Sequence, residues 1–257
     1  SVPAETDTAL FAYLVTVPGV FSINECYFNT ELHSELWTID QGLAGDSVYG
    51  YDIWGDSIAF PLLSRLMNNY DSFGNMNPSA SLGFATPDKL PEVMAIFGLP
   101  GVREVLPRDV RIIPGKVEEI GNNMMVHQIY AIKTSPPARA ITGDMVSECE
   151  ADMDGRGFQS VSIELGLQYH TLWESMTRDN IGRNLAMVLD DSVYSAPRVN
   201  SEIPGGRSMV TGLGSKRDAE FFAAIVKCGT LPVKPRVISA EVVGPAGKKT
   251  TRADGKP

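Results

Sequence analysis

The chain has 257 residues, a formal net charge of −9, 43% hydrophobic residues and 21% charged ones, the balance of an ordinary globular protein. Its one basic run, Lys248-Lys249-Thr250-Thr251-Arg252, lies in the tail, so no patch exists that could replace phosphate counterions and a nucleic-acid partner is excluded. Three widely spaced cysteines, Cys26, Cys149 and Cys228, make neither a disulfide framework nor a CxxC zinc motif, and no apolar run approaches the roughly 20 residues of a membrane span.

In chain order, residues 5–17 place Leu10, Tyr13, Leu14 and Val17 at helical spacing, and Pro18-Gly19 ends that helix. Residues 20–28 alternate as a strand. Residues 29–56, rich in Gly, Asp and aromatics, read as irregular. Residues 57–70 read as a helix with Pro61 in its first turn. Then come a strand at 81–86, a helix at 87–98, and strands at 109–113 and 124–134. The second half is more regular: a strand at 158–165, an amphipathic helix at 167–182 closed by Gly182, and a hairpin of 184–190 with 192–199 around Asp190-Asp191. A strand at 207–212 is followed by a helix at 215–229, capped by Ser215 and ended by Gly229, and by a last strand at 233–243. Strands and helices mix without regular βαβ alternation, so the class is α+β. Asp7–Val20 and Asp88–Val102 both run helix, Pro-Gly-Val, strand, a repeated local unit too few in copies for a solenoid.

Chemistry-bearing motifs fail one by one. His33, His127 and His170 belong to no HExxH or HxH pattern. No GxSxG elbow is present. Gly212-Leu213-Gly214-Ser215-Lys216 lacks phosphate-loop spacing and reads as a turn and helix cap. Asp152-Met153-Asp154-Gly155 reaches Ile163 at the twelfth position, where a calcium loop needs glutamate. The reading is of a non-enzyme with no catalytic residues, no metal and no cofactor, and with a binding or mechanical role.

A run of short segments in fixed order carries a resemblance: Ile141-Thr142-Gly143-Asp144-Met145-Val146, Asn180-Ile181-Gly182-Arg183-Asn184-Leu185-Ala186-Met187-Val188-Leu189-Asp190, Val193-Tyr194-Ser195-Ala196-Pro197, Ile203-Pro204-Gly205-Gly206-Arg207, Gly229-Thr230-Leu231-Pro232 and Val243-Gly244-Pro245. In these the chain resembles the SecD/SecDF protein-export family, and Tyr130–Thr134 with 81–114 are similar to its fused, Bacteroidetes-type SecDF members. The resemblance implies the first large periplasmic domain, on the periplasmic side of the inner membrane, as the soluble part of a membrane protein. It implies a ferredoxin-like base, incomplete here, with a large inserted α+β head. Residues 1–28 and 207–245 would form the base halves, 29–206 the head and 246–257 a flexible tail, with strands 20–28, 207–212 and 233–243 sharing one sheet. The family end reads Gly244-Pro245-Ala246-Gly247-Lys248 here, and no signal peptide is read at the start, so an excised periplasmic fragment is the simplest expectation, with a divergent stand-alone homologue as the alternative.

The implied function is transient binding of emerging unfolded preprotein, in aid of proton-gradient-driven export with SecF and the SecYEG channel. The alternative is a structural docking module for Sec subunits that never touches substrate. Trp37, Tyr49, Tyr51 and Trp54 are the candidate polypeptide contacts, with burial in the core as the competing assignment. Tyr130, Thr134, Leu231 and Pro232 are the hinge candidates, because both pairs border the two subdomains and hinges sit at element ends.

Overall fold

The computed structural model describes residues 19–52, 54–67, 76–121, 123–136, 139–153, 159–211 and 215–229. The elements expected at 5–17 and 233–243, the Leu231-Pro232 junction and the tail lie outside the described residues. Ten strands are described: β1 (Phe21–Glu25), β2 (Ser81–Ala85), β3 (Val110–Ile120), β4 (Met124–Lys133), β5 (Ala140–Thr142), β6 (Val146–Met153), β7 (Gln159–Leu165), β8 (Leu185–Leu189), β9 (Ser192–Ser195) and β10 (Arg207–Thr211). The described α-helices are α1 (His33–Leu43), α2 (Leu90–Gly98), α3 (Pro100–Val105), α4 (His170–Asp179) and α5 (Lys216–Cys228). The mixture is α+β, as the sequence pattern indicates.

Seven strands form one sheet in the order β2-β4-β3-β9-β8-β1-β5, and three form another in the order β10-β7-β6. Neighbours are antiparallel except β3 and β9, which meet in parallel at Gly115 and Val193. That meeting falls at an irregularity in β3 between Pro114 and Val117. Pro114 has no N–H to give a ladder, and a Cβ at Gly115 would press within 3.2 Å of the Tyr130 ring. The larger sheet then closes on itself. After pairing with β8, the chain leaving β1 bridges Cys26 to Ile132, and the Tyr27 N–H donates to the Ala131 carbonyl at 2.9 Å.

Closure gives each strand an inner and an outer face, and the two-residue period sorts side chains between them. On β8, Ala186 and Val188 face inward with Cys26, Ile113, Tyr130, Ile132 and Val193. Leu185, Met187 and Leu189 face outward into a second core made with Phe21, Ile23, the smaller sheet, α4 and α5. On the opposite flank, Val110, Ile112, Ile129 and Ala131 face outward into a third core made with α1, α2 and α3. Two lobes thus sit on opposite flanks of one closed sheet, the helical lobe (α1–α3) and the sheet lobe (β6, β7, β10, α4, α5).

The sheet lobe follows its sequence signals. Ser215 caps α5 in a reciprocal box with Asp218, and Gly229 ends it at φ 73°. Phe222 on α5 meets Phe21 edge-on at 5.6 Å between ring centroids. Three expectations are corrected. Strands 20–28 and 207–212 do not share a sheet: β1 pairs with β5 and β8, while β10 pairs with β7. Both still feed one core, because α5, which follows β10, packs on Phe21. Residues 29–56 are not irregular throughout, since 33–43 form α1. In place of a helix at 57–70, the described part, 57–67, makes a single turn. Its Leu62 and Leu63 amides are taken by the Asp40 carboxylate, and Met67 exchanges backbone hydrogen bonds with Phe84 beside β2.

Candidate functional site

The surface segment that follows α1 carries the residues of interest, and three aspartates shape it. Asp40, fully buried on the inner side of α1, accepts from the Leu62 N–H at 2.6 Å and the Leu63 N–H at 3.3 Å. Burial pushes its carboxyl above the ordinary value, against the pull of those two amides. Asp46 accepts from the Val48 and Tyr49 amides at 2.8 and 3.0 Å, and these bonds hold its carboxyl below the usual range. Asp52 accepts from the Trp54 and Asp56 amides, both at 2.9 Å. Each is a short side chain that takes the backbone donors a turn leaves unpaired. Gly50 packs so closely on the turn that a Cβ would meet the Gly45 and Asp46 amide nitrogens at 2.6 Å. The Tyr51–Ser57 bridge and the Ile58 N–H to Gly50 carbonyl bond at 2.7 Å close the loop base.

With the backbone occupied in this way, the aromatics point out. Trp37 is 46% exposed, Tyr51 45%, Trp54 82% and Phe60 39%. Trp37 and Phe60 stack obliquely at 5.2 Å. The competing assignment of these rings to the core therefore holds for Tyr49, which packs on the helical-lobe core, and fails for Trp37, Tyr51 and Trp54. Phe60, absent from the four residues named from sequence, joins them. Beside Trp37, an apolar groove of about 330 Å³ runs between α1 and α3, lined by Thr38, Ile39, Leu43, Leu99, Val102 and Val105 among others.

The hinge candidates part company. Tyr130 is buried in the middle of β4, paired with Ser81 on one side and Ile113 on the other, which is a ladder position and not an element end. Thr134 lies just past β4, where its N–H and hydroxyl both donate to the Asp109 carbonyl, at 2.8 and 2.9 Å. Tyr130 also borders a polar cleft of about 410 Å³ whose lining includes Glu118, Gln128, Asn184 and Tyr194. There the Tyr130 hydroxyl donates to Gln128 at 3.0 Å, and the Gln128 amide donates to Glu118 at 2.6 Å. The lining offers hydrogen bonds around a single carboxylate.

The histidines stand apart. His33 is exposed on α1, His127 Nδ1 lies 2.8 Å from the Gly115 carbonyl, and His170 Nε2 lies 3.1 Å from that of Leu165. All three cysteines are free, and burial pushes the Cys26 and Cys149 thiols up to about 12, so neither is a thiolate at neutral pH. Among the described residues, no three His, Cys, Asp or Glu side chains converge as metal ligands, and no helix is long and apolar enough to cross a membrane. Arg183, quoted in the resemblance but given no role there, joins the closed sheet to the segment leading into α1. It donates to the Cys26 carbonyl at 2.9 Å and to Glu31 at 2.5 Å, and its guanidinium lies 4.6 Å from the centre of the Phe28 ring. Burial works to raise Glu31, but the Arg183 and Phe28 N–H bonds outweigh it and hold the carboxyl below its ordinary value.

The described residues thus form an α+β domain that carries outward aromatic rings beside α1 and two clefts, one apolar and one polar. Comparison with known proteins gives it a family. Residues 122–233 match the family model described as the SecDF P1 head subdomain, a stretch that takes in 207–233, which the resemblance assigns to the base. The chain is 29% identical over 163 residues to the protein translocase subunit SecD of Rhodothermus marinus, covering 63% of this chain and 26% of that protein. It is 38% identical over 104 residues to SecD of Leptotrichia buccalis, covering 40% and 26%, and 35% identical over 105 residues to SecDF of Thermus thermophilus, covering 41% and 14%. The chain thus spans at most about a quarter of the length of these curated relatives. A solved structure described as that of a membrane component SecDF that enhances protein export overlays 87% of this chain and 100% of that one, at 18% identity and a TM-score of 0.38. The matched stretch, 122–233, is that of the SecDF P1 head subdomain, and the relatives are SecD and SecDF subunits, in line with the first periplasmic domain of that family.

Proposed function

We propose that this domain works on the periplasmic side of the inner membrane, as the exposed part of a membrane-bound SecD or SecDF subunit. There its aromatic surface transiently holds unfolded preprotein as it emerges. The chain would act alongside SecF and the SecYEG channel, in export driven by the proton gradient, and would make or break no covalent bond itself. The observation that carries this reading is the outward placement of Trp37 on α1 and of Tyr51, Trp54 and Phe60 in the segment that follows, where aspartate side chains already accept several backbone amides. Exposed apolar area of this kind marks contact surfaces, and aromatic rings give large, sequence-tolerant contact at low cost in side-chain entropy. Of the hinge positions, Thr134 has the place that suits a pivot, at a strand end held by one neighbour.

The test is site-specific photocrosslinking in the membrane-bound parent, with the probe at Trp54 and, as control, at exposed Leu167 in the sheet lobe. Trapping of an arrested preprotein at position 54 and not at 167 is the expected result. Adducts at 54 with Sec subunits alone would replace this reading with that of a docking module.

A further inference from the structure

The aromatic surface is also acidic, and the sequence makes it so over a long stretch. No Lys or Arg occurs in residues 1–64, where nine Asp and Glu occur; the first cation is Arg65. Of those nine, Glu35, Asp46, Asp52 and Asp56 lie on α1 and the loop that carry Trp37, Tyr51 and Trp54, and all four reach solvent. The nearby cations are engaged elsewhere. Arg65 donates to the Pro61 carbonyl and pairs with Glu92 at 2.8 Å, Lys89 lies 3.9 Å from the same Glu92, and Arg103 on α3 donates to the Val110 carbonyl at 3.3 Å. Asp46 keeps its charge into mildly acidic conditions, because its carboxylate already accepts two amides.

Resting on the reading that this surface contacts polypeptide, we infer that it selects stretches in which Lys or Arg stands among apolar residues. The groove between α1 and α3 takes an apolar side chain. Helix α1 and the segment after it supply two kinds of attraction for a cation, the solvent-reaching carboxylates of Glu35, Asp46, Asp52 and Asp56 and the half-exposed Trp37 and Tyr51 rings. An acidic stretch would meet the same rings at the cost of like-charge repulsion. The surface would therefore grade segments of unfolded chain by charge and hold cationic ones longest.

The experiment uses the 257-residue chain and three labelled, Gly-rich unstructured peptides of equal length that carry Leu with Arg, with Ser or with Glu. Binding is followed by fluorescence anisotropy at low and high salt. The expected order is Arg, then Ser, then Glu, with about tenfold between the first two at low salt, since several weak exposed charge contacts add. High salt and the pair Glu35→Gln with Asp56→Asn should close that gap, and Trp37→Ala with Trp54→Ala should weaken all three peptides. Unchanged denaturation midpoints would show that the variants are folded. Equal binding of the three peptides, still dependent on the tryptophans, would overturn charge selection and leave the polypeptide contact standing. An Arg preference that survives the Glu35 and Asp56 changes would also overturn it. Binding of no peptide, or binding indifferent to both tryptophans, would sink the selection and the contact together.

Discussion

The two lobes on either flank of the closed sheet treat aromatic residues differently. In the sheet lobe, Phe21, Trp173 and Phe222 are buried, and Tyr194 packs on them. In the helical lobe Phe97 is, among the described residues, the one buried ring amid aliphatic neighbours, Tyr27 and Tyr49 pack partly against that core, and Trp37, Tyr51, Trp54 and Phe60 remain outside. Both lobes have a full core, so the exposed rings are not left over for want of space. What separates the lobes is where the polar backbone goes. The sheet lobe spends its amides in ladders and a capped helix. The loop after α1 spends many of its own on aspartate side chains, which fixes its shape without an apolar interior and leaves its rings free to face water.

The comparison predicts its largest effect at Phe222. This ring is fully buried and touches both Phe21 and Tyr194. Phe222→Ala should cost about 3–5 kcal/mol, the range for deleting a buried aromatic. The check is the shift in ΔG from chemical denaturation. A loss near zero would mean that the sheet lobe is as loosely committed to its rings as the helical lobe, and the contrast would collapse.

A middling effect is expected at Asp40, where the helical lobe ties its loop to α1. Asp40→Ala orphans the Leu62 and Leu63 amides and should cost about 1–3 kcal/mol. Asp40→Asn keeps an acceptor and should cost less. The pH dependence has a definite sign. Because folding raises the Asp40 pKa, the folded state binds that proton more tightly than the unfolded one. Its contribution is therefore most favourable below the unfolded value of about 3.9 and declines as pH rises through the folded value. Wild-type stability measured relative to Asp40→Asn should fall over that rise. A relative gain would mean that the amide bonds to the carboxylate outweigh its burial.

The lobes also differ in how legible they are in sequence, for the same reason. Residues 184–199 and 215–229 carry a turn at Asp190, a Ser215 cap and a Gly229 stop, and the hairpin and helix stand where those signals put them. Helix α1 has no side-chain cap, and its apolar spacing at Leu32, Leu36, Ile39 and Leu43 is interrupted by Asp40 on the same face. That aspartate belongs there because its partners are amides some 22 residues away, a pairing that local periodicity does not register. Strand β6 is hidden for another reason: Cys149 alone among its eight residues is buried, so no alternation shows. The closure of the larger sheet through Cys26 and Ile132 depends on residues over a hundred positions apart. For the site, the aromatic types and their clustering are visible in sequence, whereas which of them face outward is not, although the Asx-turn signals that shape the loop are present at Asp46 and Asp52.

The smallest stability effect is expected where the proposed function is concentrated. Trp54 is the most exposed of the loop aromatics, and its structural tie is through its backbone N–H to Asp52, a bond that any residue other than proline can make. Trp54→Ala should therefore leave ΔG of unfolding within about 0.5 kcal/mol of wild type, as for surface positions without special contacts. Trp173, buried in the sheet lobe, should behave in the opposite way under the same substitution. A tryptophan that stability does not require is free to serve the contact proposed above. If Trp54→Ala instead destabilised the domain by several kcal/mol, the ring would be part of a core after all, and the distinction between the two lobes would lose its basis.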